Sequence, residues 1–400
     1  MHRCVTKISN FNLFIGRIML NLRLPIRAEC VHVLFCWSLS LLALPFVTGF
    51  GPPQLVDRIY VPTQRVKVGE LQQQTTLRQL PTVSAEAFLL YDVDANQLLL
   101  SHNPTAAMAP ASLTKLMTAL LVLEEGNLNA EVTIQGSDLV GGANMGLRAG
   151  ETITVEQLLW GLLLPSGNDA ATALARHMGG SVSDFVVLMN ARAQQLGLAE
   201  THFVNPHGLD AAGHTSSAAN LLTLTQQLWR YPLFRQIVAT NETEIAGHAL
   251  HSTNELLTID PNANGIKTGT TDLAGQCLVA GLQRNGHQIF VIVLQSKDRY
   301  ADTQALYNYY AANYRWFDGQ DAELTILNRL YKTADELWYI RPEGKPAAWL
   351  VRAEDLTRLH SFRRLHLPNT DQPWHAGMPV GVLEWWLDNQ LVGDQPLVLW

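Results

Sequence analysis

The chain has 400 residues, 47% of them apolar and 16% charged, which is more than one usual domain and enough for a sizeable core. Residues 1–50 hold five of the 28 basic side chains and one of the 35 acidic ones, leaving a body of 23 basic and 34 acidic residues, net −11. So acidic a body speaks against a nucleic-acid partner, and Cys277, the one cysteine beyond residue 50, excludes a disulfide framework there.

Arg3, Lys7, Arg17, Arg23 and Arg27 precede residues 31–50, an almost uncharged apolar run long enough to cross a bilayer. The upstream charges predict a cytoplasmic N-terminus, with 1–50 acting as a cleaved signal or a retained membrane anchor. Residues 51–82 are rich in Pro, Gln and Thr without periodicity and read as an extended linker. Residues 87–92 and 97–101 then read as a hairpin around Asp94-Ala-Asn96.

Pro110 precedes a run, 113–123, that is apolar almost all round and stops at Gly126, the pattern of a buried helix. Ser112 falls at its first turn, and the i, i+3 spacing sets the Lys115 amine on the same face. A serine hydroxyl needs a neighbouring base to become a nucleophile. Lysine serves where burial or a second cation favours its neutral form. The free N–H groups at the helix start also favour a developing oxyanion.

Thr154 with Gln157 gives a capping-box start for a helix over 155–164. Pro165 breaks that run and 169–178 resumes it, so Pro-Ser-Gly-Asn presents Ser166 and Asn168 at a tight turn. A second hydroxyl there can pass a proton to a leaving amine, and the carboxamide can bind a substrate amide. The same four residues are also ordinary helix–helix turn chemistry. Helices over 184–196 and 218–230 follow.

Beyond the turn-rich 260–265, Lys267-Thr268-Gly269 precedes a hairpin of 276–283 and 287–295 joined by Arg284-Asn285-Gly286. The motif reads as an edge strand facing a cleft. Lys267 and Thr268 suit a terminal carboxylate, Gly269 admits backbone approach, and the Thr270 N–H offers a second oxyanion donor. A last helix is predicted over 303–314. Strands at both ends with helices between them predict an α+β body, one antiparallel sheet with helices around it. Seven of the ten tryptophans lie at or beyond Trp316, where short alternating runs predict a small β domain. Those tryptophans suit its core better than contact with glycan or a membrane surface.

Ser112-Leu-Thr-Lys115, Ser166-Gly-Asn168 and Lys267-Thr-Gly269 together form the S-x-x-K, S-x-N, K-T-G set of penicillin-interacting serine acyl-transferases. With the stretches 110–119, 164–171, 207–210 and 265–270, residues 83–316 resemble the low-molecular-mass penicillin-binding proteins, the D-alanyl-D-alanine carboxypeptidases. The resemblance implies a β-lactamase/transpeptidase-like catalytic domain over 83–316, with 317–400 a β-rich accessory domain. It implies an acyl-enzyme on a serine, no cofactor and no metal. The implied substrate is a peptidoglycan stem peptide ending in D-Ala-D-Ala, met outside the cytoplasm, with β-lactams as covalent inhibitors. By position, Ser112 is the nucleophile, Lys115 its base and Ser166 the proton shuttle. Asn168, Lys267, Thr268, Gly269 and Thr270 are the substrate-binding groups. Asn220, in Ser216-Ser-Ala-Ala-Asn220, departs from the acidic residue usual in the family.

A class A β-lactamase shares the three motifs but usually has an acidic residue where Gly167 stands, and it deacylates through a glutamate-held water. Glu200, Glu242, Glu244 and Glu255 lie between the second and third motifs. A non-catalytic wall-binding module on the same fold would normally show a damaged motif, and all three are intact. His202, His207 and His214 lie near Asp210 but fit no standard ligand spacing for zinc.

Overall fold

The computed structural model describes residues 55–59, 79–318, 330–332, 337–344, 348–366 and 373–400. The basic segment and apolar run expected to form a signal or anchor lie outside the described residues. Among the described residues no helix is long and apolar enough to cross a membrane.

Five antiparallel strands make the first sheet, in the order β3-β2-β10-β9-β8: β2 (Ala87–Asp92), β3 (Gln97–His102), β8 (Ala263–Thr271), β9 (Gly275–Arg284) and β10 (His287–Ser296). Its central strands are apolar on both faces, as expected of strands covered on both sides. On β10, Phe290, Ile292 and Leu294 face one core while Ile289, Val291 and Val293 face another. The first core holds α1 (Lys115–Glu125), α2 (Val155–Leu163), α3 (Asn168–Gly179), α4 (Val182–Gln195), α5 (Ala218–Leu228) and α6 (Pro232–Val238). The second is closed by Leu306, Tyr307 and Tyr310 of one long helix, Arg299–Asn313. Helix, sheet and helices thus form three layers. Two short antiparallel pairs, β4 (Glu131–Thr133) with β5 (Thr152–Thr154) and β6 (Glu242–Ile245) with β7 (His248–His251), also fall in this part of the chain.

Local sequence accounts for the key boundaries. The expected capping box is present at α2, with Gln157 N–H 3.2 Å from Thr154 Oγ1 and Thr154 N–H 3.0 Å from Gln157 Oε1. Asn285-Gly286 turns β9 into β10 with both residues at positive φ, the requirement of a tight hairpin. The last helix starts four residues earlier than its apolar pattern suggests. Asp298 caps it by accepting the N–H groups of Tyr300 and Ala301, at 3.1 and 3.0 Å.

The C-terminal strands build a separate antiparallel sheet, ordered β1-β15-β16-β17-β13-β12. Its members are β1 (Leu55–Ile59), β12 (Leu330–Lys332), β13 (Leu337–Pro342), β15 (Leu359–Leu365), β16 (Pro379–Leu387) and β17 (Gln390–Leu399). A pair, β11 (Tyr314–Asp318) with β14 (Ala348–Arg352), stands beside it. Trp385 is fully buried among Ile340, Val380, Leu383, Leu397 and Leu399, with Trp349 packed against them. β1 revises the linker expectation for 51–82: Leu55–Ile59 adds an edge strand to β15.

Candidate active site

Ser112 stands in a 3-10 turn, Ala111–Thr114, that runs directly into α1. Ala111 has φ +48, a conformation that needs support from its surroundings. Thr114 Oγ1 donates to the Ala111 carbonyl at 2.8 Å and lies 2.8 Å from His214 Nε2. The Val204 N–H donates to His214 Nδ1 at 3.2 Å, so the ring proton sits on Nε2 and is given to Thr114. Burial keeps this imidazole neutral by pushing its pKa down to about 4. Gly208 presses on the same turn at φ +90; a Cβ there would stand 1.9 Å from the Ala111 oxygen. The His-Gly-Leu-Asp stretch therefore acts as a brace beneath the nucleophile turn.

Lys115 is completely buried. Its Nζ lies 2.9 Å from Ser112 Oγ, 2.8 Å from Asn168 Oδ1 and 2.7 Å from the His207 carbonyl. Burial first, and the charge of Lys267 second, push its pKa well below the usual value, against a smaller opposing pull from Asp169. A neutral amine has two N–H groups and one lone pair. Asn168 Oδ1 and the carbonyl accept the two N–H groups, which leaves the lone pair for the Ser112 hydroxyl.

Ser166 sits at φ +62 between α2 and α3 and lines the same cleft, about 510 Å³ in volume, as Ser112. Its Oγ is buried without a hydrogen-bond partner. Such a group costs stability unless a ligand or transferred proton completes it. Asn168 meets a geometry other than the expected one. Its Nδ2 donates to the Gly141 carbonyl at 2.7 Å while Oδ1 holds Lys115, so both ends of the carboxamide are engaged within the protein. The next residue, Asp169, accepts the N–H groups of Met145, Gly146 and Leu147 at 2.9, 3.1 and 3.2 Å. At Gly167 a Cβ would lie 2.6 Å from Asp169 Oδ1 and 2.8 Å from the Gly161 carbonyl, so no acidic side chain fits there.

β8 is the edge strand expected, and it lies against the nucleophile turn. A Cβ at Gly269 would come within 3.1 Å of Ser112 N. Thr268, Gly269 and Thr270 line the cleft. Lys267 is buried instead; its Nζ donates to the Thr268 carbonyl at 3.0 Å, and burial with nearby Arg299 pushes its pKa down to about 7. Two cations line the cleft wall, Lys297 and Arg299, both unassigned in the sequence reading; Arg299 is the more buried and is held by hydrogen bonds. It donates to the Gly269 and Cys277 carbonyls at 3.0 and 2.9 Å and to Thr270 Oγ1. Of the four candidate glutamates, Glu255 alone lines this cleft. Cys277 is buried core, its thiol pushed up to about 11 by burial. Asn220 makes a neutral bond, Nδ2 to Thr201 Oγ1 at 3.0 Å. Among the described residues no cluster of metal-ligating side chains forms.

The assembly is equipped for nucleophilic acyl transfer: a hydroxyl, a buried amine of lowered pKa, a second hydroxyl and a fixed cation at one cleft. Comparison with known proteins agrees. Residues 73–298 match the family described as D-alanyl-D-alanine carboxypeptidase. The D-alanyl-D-alanine carboxypeptidase DacA of Escherichia coli is 30% identical over 365 residues, 82% of this chain and 86% of that protein. DacF of Bacillus subtilis, of the same description, is 28% identical over 328 residues, 78% of this chain and 84% of its own. Among solved structures, penicillin binding protein 5 from Haemophilus influenzae superposes with TM-score 0.60 at 26% identity, over 80% of this chain and 98% of that one. A D-alanyl-D-alanine carboxypeptidase from Mycobacterium tuberculosis gives 0.55 at 32% identity, over 58% and 93%. With a match across more than half its length and relatives aligned over most of theirs, the chain belongs to the D-alanyl-D-alanine carboxypeptidase family.

Proposed function

We propose that this protein is a serine-type D-alanyl-D-alanine carboxypeptidase that removes the terminal D-alanine from peptidoglycan stem peptides through an acyl-enzyme on Ser112. The observation that carries the reading is the Lys115 amine, buried and depressed in pKa, 2.9 Å from Ser112 Oγ. The penultimate residue's carbonyl carbon is attacked by Ser112 Oγ while the hydroxyl proton passes to Lys115 Nζ. The N–H groups of Ser112 and Thr270 stabilise the oxyanion. The C–N bond then breaks, and Ser166 Oγ relays the proton from Lys115 to the departing D-alanine amine. Water, deprotonated by Lys115, hydrolyses the Ser112 ester.

Thr268 and Arg299 hold the substrate's terminal carboxylate at the cleft wall. Gly269 lets the peptide backbone lie close. Asn168 and Lys267 act from behind that wall, Asn168 by orienting the Lys115 amine and Lys267 by lowering its pKa. Residues 83–316 carry this chemistry and 317–400 form an accessory β domain. Family membership supports the carboxypeptidase over a β-lactamase, and β-lactams enter as acylating inhibitors. Peptidoglycan is met outside the cytoplasm, so residues 1–50 are assigned to export or anchoring; reporter fusions at Gln54 should be active only in extracytoplasmic form. The function itself is tested with a D-Ala-D-Ala-ended peptide, from which D-alanine should be released with turnover. Rapid penicillin hydrolysis without D-alanine release would overturn the proposal in favour of a β-lactamase.

A further inference from the structure

The outward face of the C-terminal sheet carries an aromatic groove that the acyl-transfer chemistry does not use. On β15, His360, Phe362 and Arg364 point outward while Ser361 and Arg363 are buried; on β16, Glu384 and Trp386 alternate with buried Leu383 and Trp385. The register sets His360 opposite Trp386 and Phe362 opposite Glu384. The solvent face of an antiparallel sheet is normally polar. Here three rings line a groove of about 340 Å³, together with Asp388 and Asn389 of the following turn.

The groove is organised. Phe362 stands edge-on to its neighbours, with ring centroids 5.1 Å from His360 and 6.3 Å from Trp386. Glu384 Oε2 accepts from Trp386 Nε1 and from Arg364 Nη2, each at 3.2 Å, which fixes the indole plane. Asp388 is paired in turn with Arg358 at 2.5 Å. Among the described residues lining the groove, the charged side chains are thus paired: Arg364 with Glu384, and Asp388 with Arg358.

We propose that this groove binds a neutral carbohydrate chain, the glycan that carries the stem peptide; the identity of that glycan rests on the carboxypeptidase reading. A sugar ring presents an apolar C–H face that packs on an aromatic ring, and a rim of hydroxyl and amide groups needing donors and acceptors. Trp386 and Phe362 supply the first, and Arg364, Glu384 and Asn389 the second. Arg364 is the one basic residue among the described groove-lining residues and it is paired with Glu384, whereas anionic lipid surfaces are bound by clusters of several basic residues. The volume falls at the small-ligand end of the usual range of about 300–1,000 Å³. A protein partner needs about 800 Å² of contact on each side, far more than this groove.

The test uses the full-length protein and a β-linked tetrasaccharide of N-acetylglucosamine as probe, followed by titration calorimetry. The wild type should bind it. Trp386→Leu, which keeps apolar volume but removes the ring face, should weaken binding at least about tenfold. Glu384→Gln, which removes the charge that holds Arg364 and leaves only a neutral acceptor for the indole, should weaken it less. Both variants should melt as the wild type does and release D-alanine from a free peptide at its rate, yet work more slowly on intact glycan-linked peptidoglycan. No tetrasaccharide binding by the wild type, equal affinity in both variants, or preference for anionic vesicles would overturn the proposal. Failure of the carboxypeptidase reading would show separately, as a wild type inert toward the free peptide.

Discussion

Three oxygens surround Lys115 Nζ, and a neutral amine can satisfy all three. Asn168 Oδ1 and the His207 carbonyl can only accept, whereas Ser112 Oγ can donate. Lys267 contributes by repulsion, so Lys267→Met should let the Lys115 pKa rise toward its ordinary value. The reactive form is the neutral amine, and its fraction at a given pH falls as that pKa rises. The acidic limb of kcat/KM against pH should therefore move upward in the variant. A uniformly lower profile with an unmoved limb would give Lys267 a purely structural role. Arg299 is a separate matter. Its Arg299→Gln variant loses a charge-assisted bond to the substrate carboxylate, about 1.5–3 kcal/mol, and kcat/KM should drop roughly 10- to 150-fold. A C-terminally amidated peptide should be far less affected by the change; equal losses on both peptides would remove Arg299 from carboxylate binding. Ser112 and Lys115 were legible because an i, i+3 spacing sets them on one face, and Ser166 because Pro-Ser-Gly-Asn marks a tight turn between two helices. Arg299 was not, since its bonds run to β8 and β9, 22 to 30 residues away, and leave no local pattern.

At the scale of elements, the start of α3 organises one side of the cleft. Asp169 gathers the N–H groups of 145–147, and the Ala143 carbonyl of the same loop accepts the Asn168 N–H at 2.7 Å. Ala143 lines the cleft, so the loop is a wall of the site. Asp169→Ala strands several buried donors at about 1–3 kcal/mol each. Its urea midpoint should fall with the m-value unchanged, and proteolysis should open first within 139–147; a wild-type midpoint would deny Asp169 this role. Here too the sequence spoke unevenly. Thr154 with Gln157 announced α2, and Asn285-Gly286 announced the hairpin, because each signal is short-range. The Arg299 helix was read from 303 because its first turn, Arg-Tyr-Ala-Asp, lacks an apolar rhythm. What starts it is the single Asp298 side chain.

Across the whole molecule, two sheets hold separate apolar cores, and Trp316 links their neighbourhoods. Its ring stacks on His287 at 3.8 Å, and its Nε1 donates to buried Asp92 at 3.2 Å. The α+β plan followed from the order of periodic segments, and the β-rich end from alternating runs and tryptophan density. The pairing of 55–59 with β15 did not, because strand partners some 300 residues apart share no local signal. The central claim is that Ser112, activated by Lys115, becomes the acyl-enzyme. Intact-mass spectrometry after benzylpenicillin treatment tests it most directly. One adduct of whole-penicillin mass should appear, map to the peptide holding Ser112 and vanish in Ser112→Ala; an adduct that persists in that variant, or none in the wild type, would contradict the account.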